Sequence, residues 1–166
     1  LREDQSIGRL QMELGMAYNS IGNISAAFRS YEQALNTFRK VNNVLAQANV
    51  LNNLGVIYHQ QGEYEQAVRS FEKGVEYALQ ANSPRQQALL LTSLGDIYID
   101  LDEYESAGLT YARAAEILKK IRYQFVANYL MFVRARLARL QGRLKEARFY
   151  LDEVEPLIHA GGSNYE

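Results

Sequence analysis

Apolar residues recur three and four apart along most of the chain, in stretches long enough for a helix and too long for an ordinary strand. The pattern predicts helices near 5–20, 24–40, 45–60, 64–81, 85–100, 104–120, 125–140 and 144–158, and no stretch alternates as a strand would. Gly22, Gly62 and Gly142 fall where the first helix of a pair ends and suit a left-handed cap, while Asp102 takes that place in the third pair. Ser83-Pro84 reads as an N-cap followed by proline at the first helical position. Pro156 interrupts the last helical pattern and Gly161-Gly162 follow, so the last helix is expected to kink or stop there and residues 161–166 to form a flexible tail or linker.

The helices repeat in pairs. LGMAYNSIGNISAAFRSYEQA from Leu14, LGVIYHQQGEYEQAVRSFEKG from Leu54 and LGDIYIDLDEYESAGLTYARA from Leu94 are copies at a spacing of forty residues. A weaker fourth copy puts Arg134-Ala135 in place of Leu-Gly and Ala138 in place of the tyrosine, but keeps Gly142, Ala147 and Leu151 in register. Gly15, Gly55 and Gly95, with Ala27, Ala67, Ala107 and Ala147, let paired helices approach closely, and Tyr31, Phe71, Tyr111 and Leu151 fill the space beside them.

Leu-Gly, then tyrosine three residues on, alanine nine further and an aromatic four after that resembles the tetratricopeptide repeat, over about residues 5–158. The tryptophan common near the repeat start is replaced by Gln11, Leu51, Leu91 and Met131. The forty-residue period resembles that of LGN-type scaffolds, bacterial Rap regulators and the sensor regions of MalT-like transcription activators. The resemblance implies an all-α fold: a right-handed α-solenoid, or superhelix, of four stacked hairpins at about 5–42, 45–82, 85–122 and 125–158, within one domain spanning 1–160. It further implies that the first helices line a concave groove. A protein or peptide segment, or a small effector, would be held there by Met12, Met16, Asn49, Asn52, Asn53, His59, Thr92, Asp96, Tyr129, Phe132, Arg136 and Arg139. Asparagine is a mediocre helix former whose amide both donates and accepts, so three of them on one face point to peptide-backbone contacts or to solvated and inter-helix hydrogen bonds. Family members that grip a chaperone tail use lysine, arginine and asparagine at set places. Here only Asn53 matches, with Met12, Met16, Leu89 and Ser93 at the others, so that role is not expected.

Composition narrows the chemistry. With 166 residues, 48% of them hydrophobic and 22% charged, the chain can bury a core. It has no cysteine, and its two histidines, His59 and His159, are too far apart for a local zinc cluster, so no metal or cofactor is expected. There is neither an apolar run to span a bilayer nor a secretory leader, which makes a cytoplasmic location the expectation. Beginning at Leu1 rather than methionine and ending in GGSNYE, the chain reads as a segment of something longer.

Charge is uneven although the formal net is −1. Residues 113–148 hold ten basic side chains against Glu116 and Glu146, and Asp96, Asp100, Asp102, Glu103 and Glu105 precede them. Solvated faces and inter-repeat pairs such as Asp96 with Arg136 account for this, or else an acidic partner does. A pI near 6.2 argues against direct nucleic-acid binding. Asp100 and Asp102 begin like a calcium loop, but Tyr104, Glu105 and Tyr111 stand where an oxygen ligand, glycine and glutamate belong. No phosphate loop or nucleophile-base spacing is present, so no enzyme is expected. The sequence reads as a non-catalytic binding module of a larger regulatory protein, the sensor part of a MalT-like activator. A free-standing LGN-type scaffold or the regulatory arm of an enzyme are the alternatives.

Overall fold

The computed structural model describes residues 2–162, with side chains through 156. Eight helices follow one another: α1 (Arg2–Ser20), α2 (Ile24–Lys40), α3 (Val44–Gln60), α4 (Tyr64–Gln80), α5 (Pro84–Asp100), α6 (Tyr104–Leu118), α7 (Gln124–Leu140) and α8 (Leu144–Gly162). They form four antiparallel hairpins, α1–α2 through α7–α8, stacked into an all-α solenoid. Each first helix touches the first helix of the next hairpin, whereas among the described residues no second helix touches another second helix. The stack is therefore tighter on the side of α1, α3, α5 and α7, which makes that side concave.

Close approach within each hairpin follows from the glycine columns. A Cβ on Gly15 would lie 2.6 Å from the ring of Tyr31, and one on Gly55 2.8 Å from that of Phe71. The fourth hairpin meets the same constraint with Ala135 opposite the smaller Leu151. Between hairpins, Leu90 of α5 rests on Gly74 of α4, and Leu137 of α7 on Gly108 of α6. The core is accordingly a chain of clusters, the first joining Tyr31, Leu35 and Phe38 to Val50, Leu54 and Ile57, and the next joining Phe71 to Leu90, Leu94 and Ile97.

The turns repeat every twenty residues, twice as often as the hairpins. Gly22, Asn42, Gly62, Asn82, Asp102 and Gly142 all have φ between 50° and 76°. In each turn the N–H of the next residue reaches back five positions, as Asn23 does to the Tyr18 carbonyl at 2.9 Å and Ser83 to that of Ala78 at 2.9 Å, closing the helix end. Asn23 and Asn43 then cap the following helix by accepting from the N–H groups of Ala26 and Ala46. Ser83 occupies the expected N-cap, but its hydroxyl makes no cap bond.

Arg122 breaks the series. An arginine in the left-handed region is costly, so the turn does not form there: α6 ends at Leu118, short of the expected 120, and Lys119–Tyr123 connects to α7 irregularly. At the other end Pro156 does not stop α8, which runs to Gly162 and takes in two residues of the expected tail. Proline removes the one N–H that would reach the Asp152 carbonyl, and the turns on either side carry the helix on. Residues 163–166 lie outside the described residues.

Asp102 is the one acidic residue among these left-handed positions, at φ 59°. Replacing Asp102 with glycine is expected to raise stability by about 0.5 kcal/mol in urea unfolding. The strain relieved is larger than the exposed bond Asp102 accepts from the Tyr104 hydroxyl. An unchanged or lower midpoint would show that this bond outweighs the strain.

Candidate binding groove

On the concave face, helical spacing puts residues 9, 12, 13, 16, 19 and 20 of α1, and their counterparts forty and eighty residues on, in parallel columns. The structure brings together one part of the expected site, around the third hairpin. Asp96 accepts hydrogen bonds from the Tyr111 hydroxyl on α6 at 2.6 Å and from the Tyr129 hydroxyl on α7 at 2.8 Å. One turn on, Asp100 lies 2.7 Å from Nε2 of His59 on α3 and accepts from the Arg136 guanidinium on α7 at 2.8 Å. Two carboxylates on α5 thus tie the second, third and fourth hairpins together.

The two carboxyls are held differently. Burial pushes Asp96 above the usual carboxylate range, and the Tyr111 and Tyr129 hydrogen bonds and the Arg136 charge offset this only in part. Burial also acts on Asp100, but its bonds with His59 and Arg136 outweigh it and hold Asp100 below that range. Burial and the charge of Asp96 push both Tyr111 and Tyr129 far above the ordinary tyrosine value, so each remains a neutral donor.

Several expectations change. Arg136 pairs with Asp100, not with Asp96, because Tyr129 occupies the oxygen of Asp96 that faces α7. Thr92 is 1% exposed and its hydroxyl donates to the Ala88 carbonyl, so it is a core residue, covered by hairpins on both sides. Met12 packs half-buried against the first core cluster, whereas Met16 is exposed, as are Arg9, Glu13 and Ser20 on the same part of the face. Asn49, Asn52 and Asn53 are half-buried on α3. Asn52 Oδ1, however, is shut away from solvent with no hydrogen-bond partner, so the acceptor half of that amide is withheld from a ligand. Substituting Asn52 with leucine is expected to stabilise the protein by about 1 kcal/mol, since an unsatisfied buried oxygen is replaced by apolar packing. A loss of that size in thermal unfolding would place a structural water on the oxygen instead.

At the far end Tyr129 and Phe132 stack with ring centroids 6.5 Å apart, both exposed. Beside them a cavity of about 310 Å³ is lined by Phe132, Ala135, Arg136, Arg139, Ala147 and Leu151. It opens where the large aromatic of the other hairpins has become Leu151. Arg139 makes no ion pair or hydrogen bond among the described residues, whereas five of the nine other basic side chains of 113–148, Arg136 among them, are engaged. Lys119 meets Glu116, Arg143 meets Glu146, Arg148 meets Asp152 and Arg134 lies over the Tyr150 ring. Among the described residues no three histidine or acidic side chains converge as a metal would require, and no helix is long and apolar enough to cross a membrane.

Tyr111 escaped the sequence reading of the site because it occupies a packing column. A signal for it does exist: where the second helix carries Phe71, the facing groove position is Val56, and where it carries Tyr111, that position is Asp96.

Four stacked hairpins with repeating glycine and aromatic columns define a helical-repeat protein. Family models described as tetratricopeptide repeat match residues 6–80, 88–118 and 129–148. The chain belongs to the tetratricopeptide repeat family, whose stacked repeats act as protein-interaction scaffolds. Comparison with curated protein sequences gives no match. Among solved structures the chain is similar to the apo form of RapI, with TM-score 0.86, 18% identity and coverage of 95% of this chain and 58% of that one. It is also similar to aspartyl phosphate phosphatase F from Bacillus subtilis, with TM-score 0.88, 14% identity and coverage of 96% and 42%. BtubC from P. vanneervenii gives TM-score 0.81 and 18% identity, with coverage of 96% and 65%. At these identities the likeness is one of fold, and the chain spans under two thirds of each of those proteins.

Proposed function

We propose that the chain is a non-catalytic peptide- or protein-binding module of a larger regulatory protein, and that the α7 end of its groove receives an apolar side chain next to a carboxylate. The observation that carries this reading is the cavity under Phe132 with Arg139 unpaired at its edge. An aromatic wall offers apolar burial, and a free guanidinium offers a charge-assisted, bidentate partner for an acidic group. Asn49 and Asn53, on the same face two hairpins earlier, would contact the extended backbone of a longer ligand. Arg136, held by Asp100, positions the wall rather than the ligand. The host we favour is a MalT-like transcription activator, in which this module would be the sensor; the Arg- and Leu-rich VRARLARLQGRLKEARFYL of the fourth hairpin supports it.

The test uses a library of extended peptides, each carrying one carboxylate beside an aromatic or aliphatic residue, with titration calorimetry of those selected. Phe132→Ala/Arg139→Ala is expected to weaken binding at least about 10-fold, near 1.4 kcal/mol, and to flatten its salt dependence. Equal affinity in the folded double variant would move the site away from this end. A helix-turn-helix encoded in the same reading frame would support the activator host, and a run of further repeats without one would favour a scaffold.

A further inference from the structure

The four hairpins provide an internal standard for what each face of a first helix does. Positions 10 and 14 of α1 correspond to Val50 and Leu54 of α3 and to Leu90 and Leu94 of α5, and all four of these are buried in the core. Their covering is visible: Leu90 rests on Gly74 and Leu137, the counterpart of Ala17, rests on Gly108, each on the second helix of the preceding hairpin. Gln47, the counterpart of Ile7, donates to the Phe38 carbonyl of the preceding second helix at 3.4 Å. Positions 7, 10, 14 and 17 are thus the receiving stripe of each hairpin.

On α1 that stripe reads Ile7, Leu10, Leu14 and Ala17, spaced three, four and three apart, and it stays apolar although none of the described residues covers it: Leu10 is 59% and Leu14 51% exposed. The terminal face of a solenoid is ordinarily polar, because it meets water. The opposite end of this stack is mixed, since Leu144, Phe149 and Leu151 of α8 are exposed among charged side chains. The counterparts on α8 of Phe28 and Leu35, which support the next hairpin, are Arg148 and Glu155, and Arg148 pairs outward with Asp152.

We infer that the stripe Ile7–Leu10–Leu14–Ala17 is a stacking surface for the second helix of another hairpin of this same forty-residue type, standing before α1 in the same polypeptide. The occupant helix carries glycine or alanine where Leu10 and Ala17 land, as α4 and α6 do at Gly74 and Gly108. A second copy of this chain does not fit as a head-to-tail occupant, since its α8 carries Arg148 and Val154 where α6 and α4 have Gly108 and Gly74.

Hydrogen exchange along α1 provides the test, in the 166-residue chain and in the product of the complete reading frame. The amides of Leu10 through Ala17 are expected to exchange at least about 10-fold more slowly in the latter. Leu10→Lys/Leu14→Lys should shift the thermal midpoint of the 166-residue chain by under about 2 °C, but lower that of the complete product by several degrees. A probe built from residues 44–83 joined directly to Asp4 keeps the forty-residue register. It should unfold in one transition and protect the same amides. Equal exchange in both proteins, two separate transitions in the probe, or protection in the 166-residue chain that grows with its concentration would each overturn the inference. The last of these would make a second copy the occupant.

Discussion

Gly95→Ala is expected to destabilise the protein by about 3 kcal/mol, at the upper end of what one added methyl costs in a packed interior. The new Cβ would meet three ring carbons of Tyr111 more closely than its counterparts at Gly15 and Gly55 meet theirs. Tyr111 has nowhere to go: it is fully buried between α5 and α7, and its hydroxyl is anchored on Asp96. Gly74→Ala, whose nearest atoms are the ends of the Leu90 side chain, should cost less, because those atoms can rotate away. The fourth hairpin indicates the remedy, since Ala135 there faces Leu151. In the second hairpin, Gly55→Ala and Phe71→Leu should each destabilise, yet together cost at least about 1 kcal/mol less than their sum. Urea unfolding of the cycle measures this. Additive losses would mean that the fourth hairpin tolerates Ala135 for some reason other than the smaller residue opposite.

Helix positions were legible because a repeat shows the apolar period four times over, and the glycine and aromatic columns announce which residues must touch. What sequence could not supply is where a position stands in the stack. Thr92 and Phe132 occupy one column, but Thr92 has a hairpin on either side and is buried, while Phe132 lies on the last first helix and is open. Arg136 faces two carboxylates that stand one helical turn apart on α5, and the Tyr129 hydroxyl on Asp96 leaves Asp100 as its partner. Local chemistry likewise fixed the end of α6. Asn42 and Asn82 enter the left-handed region with the glycines, since asparagine does so at low cost, but Arg122, forty residues after Asn82, does not. The polar network followed from a hydroxyl in a packing column, a kind of residue that apolar periodicity treats as aromatic and nothing more.

Removing that hydroxyl gives the second large effect. Tyr111→Phe is expected to cost about 2 kcal/mol near pH 7, the range for a hydrogen bond to a charged, buried group, and about 1 kcal/mol near pH 3. The direction follows from Asp96. Its pKa in the folded protein is raised, so its contribution to stability is fully present below the ordinary carboxylate value, about 3.9, and is lost as pH rises through the folded value. Tyr111 works against that loss by donating to the carboxylate. Without the hydroxyl the folded pKa rises further, and the variant falls behind the parent as Asp96 ionises. Asp100 has the opposite sign: its folded pKa is lowered, so its contribution is present above the ordinary carboxylate range and is lost as pH falls through the folded value. For that reason the comparison is variant against parent at each pH, in which the Asp100 contribution cancels. In an Asp96→Asn background there is no carboxylate to ionise, and the Tyr111→Phe penalty should lose its pH dependence. If the penalty in the parent background is already the same at pH 3 and pH 7, Tyr111 contributes packing alone, and the bond to Asp96 does not tie α5 to α6 in solution.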